Sequence, residues 1–134
     1  MTEYEIADLA FSTQELFFQQ WQLGQGIAER AFDGIQQFGQ LLFGYLIVAY
    51  FVGAKLTKVQ LAILNVLYLI WQFRVFVTLR ILGANADILL GEMREISPEL
   101  TPDAPSMSYF LAVHTAMILA SLYFMWSIRH PKTE

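Results

Sequence analysis

Three apolar stretches, Phe38 to Val52, Leu61 to Leu82 and Tyr109 to Ile128, constrain this chain of 134 residues more than anything else in it. A hydrocarbon layer of about 30 Å is matched by about 20 predominantly apolar residues in a helix. A helix also satisfies its own backbone hydrogen bonds where no water is present to do so. The sequence therefore predicts an all-α membrane protein with three transmembrane helices. Composition agrees: 56% of residues are hydrophobic and 15% aromatic, so a water-soluble chain of this kind would carry large exposed apolar patches.

One set of spans and no long polar insertion predict a single integral membrane domain over 1–134. Within it the reading assigns an amphipathic N-terminal segment to 1–37, span 1 to 38–56, span 2 to 58–82, an interfacial helix and Pro-containing loop to 84–106, and span 3 to 107–129. Acidic Glu3, Glu5 and Asp8 follow Met1 where a secretory signal would place basic residues, so the first span is expected to act as an uncleaved insertion signal. With no Cys, the chain holds no disulfide, thiolate metal site, Cys nucleophile or Cys-lipidation box.

Local signals place the helix ends. Thr2 with Glu5, and Ser12 with Glu15, each pair a hydroxyl with an acid three residues later, as in a capping box, and the second pair predicts a helix start near Thr13. Leu16, Leu23, Ile27, Ala31, Ile35, Phe38 and Leu42 then recur at helical spacing, opposite a Gln-rich and acidic face. This amphipathic helix runs into the first span, with Phe17, Phe18 and Trp21 placed for a membrane interface. Gly24 and Gly26 cost about 1 kcal/mol each in a helix interior and predict a bend.

Gly53 reads as a helix C-terminal glycine, and Thr57 with Gln60 as a further capping box, so the first two spans form an antiparallel hairpin. The second span is expected to end at Gly83. A short amphipathic piece follows, with Ile88, Leu89, Met93 and Ile96 among Asp87, Glu92, Arg94 and Glu95. Pro98, Pro102 and Pro105 make Ser97 to Ser106 an extended connector. The third span stops at Arg129, His130 and Pro131.

Basic residues near the membrane ends set orientation. Lys55, Lys58, Arg129 and Lys132 lie on one side, and Arg30, Arg80 and Arg94 on the other among most of the acids. The denser first group favours a cytoplasmic C-terminus and an outside N-terminus.

Depth arithmetic at 1.5 Å per residue puts Arg74 and His114 about 8 to 9 Å below one surface. Asp33, Gln36 and Gln40 enter at that same end of the first span, and Gln72 lies beside Arg74. These six form the candidate intramembrane polar cluster, since an ionised group at depth is paired or turned toward a cavity. Its plainer reading is assembly alone: Arg74 reaching the interface to pair with Asp33 or Glu29, and His114 hydrogen-bonded to a neighbouring helix. Asn65, Tyr68 and Gln72 on one face of the second span read as interhelical hydrogen-bonding groups worth roughly 1 kcal/mol each.

In the third span Ser108, Ala112, Ala116 and Ala120 recur every four residues, a small-residue seam along which helix backbones approach closely, within this chain or in a second copy. Catalytic signatures are missing: the sequence has no Gly-rich phosphate loop, H-E-x-x-H or G-x-S-x-G run. No cofactor, metal or nucleic-acid partner is therefore expected, and no basic patch for nucleic acid exists.

The stretches E-Y-E-I-A-D-L at Glu3 to Leu9 and Y-L-I-V-A-Y-F-V-G-A-K-L-T-K-V-Q at Tyr45 to Gln60 resemble those of small three-span bacterial inner-membrane proteins, over the first half of the chain. That resemblance implies a bacterial inner-membrane location and carries no activity, cofactor or catalytic residue. Three spans with an outside N-terminus also resemble one class of phage holins. The long acidic, Gln-rich N-terminal helix and the sparse basic tail depart from that pattern. The expected role is non-enzymatic: an oligomer-forming scaffold or an accessory subunit of a membrane complex, with the lipid bilayer and either a second copy or a larger membrane subunit as partners. The alternative is an oligomeric pore whose polar stripe lines a water path.

Overall fold

A computed structural model describes residues 1–103 and 106–130 of the chain. It is all-helical, with 90% helix and no strand among the described residues. Helix α1 runs from Glu3 to Val52, a single 3₁₀ turn covers Gly53–Lys55, α2 runs from Lys58 to Ile96 and α3 from Met107 to Arg129. All three helices are long and apolar enough to cross a membrane. At 1.5 Å per residue they measure roughly 75, 58 and 34 Å, so α1 and α2 are each much longer than a hydrocarbon layer while α3 matches one.

Helix α1 begins ten residues earlier than the sequence suggests. The Thr2 box forms, with the Thr2 amide donating to Glu5 Oε2 at 2.7 Å and the Glu5 amide to Thr2 Oγ1 at 3.4 Å. Ser12 does not cap. Its hydroxyl and that of Thr13 donate back to the Leu9 carbonyl at 2.9 and 2.8 Å, because a preceding helical turn already supplies partners for the amides there. The helix also continues without interruption through Gly24 and Gly26, so no break separates 1–37 from the first apolar stretch. A Cβ on Gly24 would lie 3.3 Å from Leu89 Cδ2, so glycine there serves the close approach of α2.

Gly53 directly follows the end of α1 as expected, though without a left-handed backbone: no residue among those described has a positive φ. It is buried, and a Cβ would meet Met125 Sδ at 3.0 Å. The Thr57 box does form, its amide donating to Gln60 Oε1 at 3.0 Å and the Gln60 amide to Thr57 Oγ1 at 3.2 Å.

The helix of the second span does not stop at Gly83. Helix α2 passes through Gly83 to Ile96, so the separate interfacial helix is the last part of α2 itself. One helical glycine costs about 1 kcal/mol, whereas Leu82, Leu89 and Met93 continue the buried ridge at steps of seven and four and hold the helix in place. The connector, expected to be extended, opens on a turn at Pro98–Leu100, with the Leu100 amide donating to the Ser97 carbonyl at 3.3 Å and Thr101 Oγ1 to the same carbonyl at 2.9 Å. Pro105, Pro131 and Lys132 lie outside the described residues.

The chain divides into two compact units. The first, Met1–Phe32 with Ile81–Pro105, contains ten Asp and Glu against Arg30 and Arg94, a net charge of −8 at neutral pH, and is called the acidic unit below. In it Leu82, Leu89 and Met93 of α2 are buried, and Gln20 Nε2 donates to Glu92 Oε2 at 3.1 Å. An exposed Arg94–Asp103 ion pair at 3.4 Å adds little, since solvent screens it.

The second unit, Asp33–Arg80 with Ser106–Glu134, carries six Lys and Arg against Asp33 and Glu134 and is called the apolar unit. Its core is Leu42, Tyr45 and Ala49 of α1, Tyr68 of α2 and Met125 of α3. Gly34 faces Leu79, whose Cδ2 would lie 3.1 Å from a Cβ placed there, so glycine lets α1 and α2 close on each other.

Candidate functional site

The apolar unit is tied across its three helices by polar side chains at three levels. Tyr45 Oη donates to Asn65 Oδ1 at 2.7 Å, and its ring stacks on Tyr68 with centroids 4.1 Å apart. Tyr68 Oη meets Ser121 Oγ at 2.9 Å; because Ser121 Oγ donates to the Ile118 carbonyl at 2.7 Å, the tyrosine is the donor. One helical turn along α2, Gln72 Oε1 lies 3.1 Å from His114 Nε2. At the other end, Arg129 Nη1 donates to the carbonyls of Gly53 at 3.0 Å and Leu56 at 2.7 Å, supplying partners for backbone acceptors where α1 stops.

The Gln72–His114 level is the most enclosed. Gln72 is fully buried and His114 is 3% exposed. The imidazole packs edge-on against Phe38 at 4.2 Å and lies 5.9 Å from Phe76. With the Gln72 carbonyl oxygen as acceptor, the imidazole proton sits on Nε2 and Nδ1 is left as an acceptor. Gln72 Nε2 and His114 Nδ1 are both buried and have no partner among the described residues.

The candidate polar cluster is thereby divided. The structure brings together Gln72 and His114 but leaves Asp33, Gln36, Gln40 and Arg74 exposed. Gln72 shares the buried ridge of α2 with Tyr68, Val75 and Leu79; Arg74, two residues on, turns about 200° around the helix and faces outward. Its guanidinium lies 5.2 Å from the centroid of the Trp71 ring. Arg94–Asp103 is the sole ion pair among the described residues, so Arg74 bonds neither Asp33 nor Glu29. The helical period explains both outcomes, because it separates neighbours in sequence onto opposite faces.

Ser108, Ala112, Ala116 and Ala120 are also exposed: the seam packs against neither of the chain's own helices. Beside it lies an apolar groove of about 520 Å³ between α1 and α3, lined by Leu46, Ile47 and Tyr50 on one side and Met117, Ala120 and Phe124 on the other. Sequence reasoning missed Tyr45, Ser121 and Arg129 as structural links. Tyr45 reads as one aromatic in an apolar run, and Arg129 as an orientation charge. The helical period held the signal for Tyr45, since it falls three and four residues from Leu42 and Ala49 on one face, and all three are buried.

Among the described residues no group of three or more metal-ligating side chains lies close enough to hold an ion. The arrangement fixes register between helices: each hydrogen bond joins side chains at least 20 residues apart and is made at one relative height of two helices. A comparison with known protein families, with curated proteins and with solved structures finds no match to this chain.

Proposed function

We propose that the chain is a multi-pass inner-membrane protein of bacterial type that works as a non-enzymatic scaffold or accessory subunit of a membrane assembly. The carrying observation is the bare Ala112–Ala116–Ala120 face of α3 next to the apolar groove: this unit packs three helices yet leaves its closest-approach surface uncovered. In each helix's most apolar window only 17 to 22% of residues are buried within the chain, so lipid or a second helix must cover the remainder. The apolar unit supports the location. Its α1 portion, Asp33–Val52, is 20 residues long and thus roughly 30 Å, with Asp33 and Arg80 at one end and Lys55, Lys58 and Arg129 at the other. By the density of basic residues the second end faces the cytoplasm.

A pore is the less favoured arrangement. The outward polar face of α1 stops at Gln40, and the same face continues as Phe43, Ile47 and Tyr50, all exposed and apolar. A water path needs polar lining across the whole hydrocarbon thickness. The test is the mass of the complex in lipid nanodiscs, comparing the parent with Ala116→Leu. Association that weakens with the larger side chain supports the reading; unchanged stoichiometry counts against it. Dye release from vesicles holding the parent protein would favour the pore instead.

A further inference from the structure

The outer face of α1 in the acidic unit carries a second repeat that the chain's own packing does not use. Tyr4, Phe11, Phe18 and Phe32 lie at multiples of seven residues and are 88, 67, 60 and 68% exposed. Asp8, Glu15 and Glu29 fall between them at steps of four and three, also exposed, with Gln25 at the one position of the aromatic row that breaks the pattern. The row lies opposite the face of α1 that bears Gln20 and Gly24, which meet Glu92 and Leu89 of α2. A monomer rarely leaves so many large aromatics in a line without something that covers them.

We propose that this stripe is the docking face for a basic helix of a partner protein, one presenting Arg or Lys beside apolar residues at the same four-and-three spacing. The occupant follows from charge and period. The unit's net charge of −8 repels both a second copy of the same face and an anionic lipid surface, and attracts a cationic partner. Each aromatic has a carboxylate within one helical turn, so a guanidinium can sit over the ring while bonding the acid. A strict seven-residue period selects a helix that wraps around α1, since only a supercoiled partner stays in register with such a ridge.

The inference names the partner class for the scaffold proposed above and rests on that reading only in placing the acidic unit outside the bilayer. The experiment uses the full chain in zwitterionic nanodiscs and a labelled synthetic helix about three heptads long, with leucine and arginine at the four-and-three positions, followed by fluorescence anisotropy. A glutamate-for-arginine peptide is the control. Binding of the arginine peptide is expected to weaken about tenfold or more in Phe11→Ala/Phe18→Ala, which leaves the charge untouched. Asp8→Asn/Glu15→Gln is expected to weaken it as much and to flatten its salt dependence. Equal binding by the aromatic variant, or by the glutamate peptide, overturns the proposal. So does a polarity-sensitive dye on Gln25→Cys, the chain's sole thiol, that reports lipid contact and ignores the peptide. Loss of the membrane reading shows separately, as a chain monodisperse in buffer without amphiphile, and leaves the peptide titration readable.

Discussion

The two units use one helical period for opposite purposes. In the apolar unit the inward ridges of α1 and α2 carry polar groups, Tyr45, Tyr68 and Gln72, while over 43–52 of α1 and 61–73 of α2 the outward surface is apolar or aromatic. In the acidic unit the inward ridge is aliphatic, Leu82, Leu89 and Met93, and the outward surface carries the charge. The first pattern suits a surrounding of hydrocarbon, in which hydrogen bonds and close contact must join the helices. The second suits water, in which removal of apolar area from solvent does so, at roughly 25 cal/mol per Å². The change occurs within single uninterrupted helices, so nothing in secondary structure marks it.

This contrast is broken or sharpened by substitution, measured as unfolding in mixed micelles. The largest effect is expected for Gly53→Leu, where even a Cβ would lie 3.0 Å from Met125 Sδ; overpacking should cost about 1–3 kcal/mol. His114→Leu comes next, because it leaves both polar ends of the buried Gln72 without partners, a loss of about 1–2 kcal/mol. Addition of Gln72→Leu should recover part of that loss; if the double variant is no more stable than His114→Leu, the pair is not a coupled link. Tyr45→Phe, which keeps the stacking on Tyr68 and removes the bond to Asn65, should cost roughly 0.6 kcal/mol. Smallest of all is Phe11→Ala/Phe18→Ala, expected within about 0.5 kcal/mol of the parent. A loss there as large as that of His114→Leu would mean that the aromatic row is covered within the chain and the contrast fails.

Much of this arrangement is legible from residues alone, and the failures have physical reasons. The apolar runs place three helices, and the Asn65, Tyr68 and Gln72 row lies on one face by period. Gly83 misleads because a glycine's intrinsic cost is small beside the packing of a long ridge, and tertiary contact decides whether a helix stops there. Ser12 misleads because its side chain has two ways to bond backbone, and the turn begun at Thr2 selects the mid-helix one. Arg74 and Gln72 show the limit of depth arithmetic. Height along a helix says that two groups share a level, but azimuth decides whether they meet, and Trp71 rather than Asp33 lies against the guanidinium.

The bonds from Arg129 to Gly53 and Leu56 tie the order of synthesis to the order of assembly. The bend joining α1 and α2 leaves the ribosome before α3 does, yet two of its oxygens wait for a guanidinium supplied by the last turn of α3. Biogenesis of this hairpin is therefore finished only once α3 has been made, and a nascent chain that stops before that arginine would hold an unlatched bend.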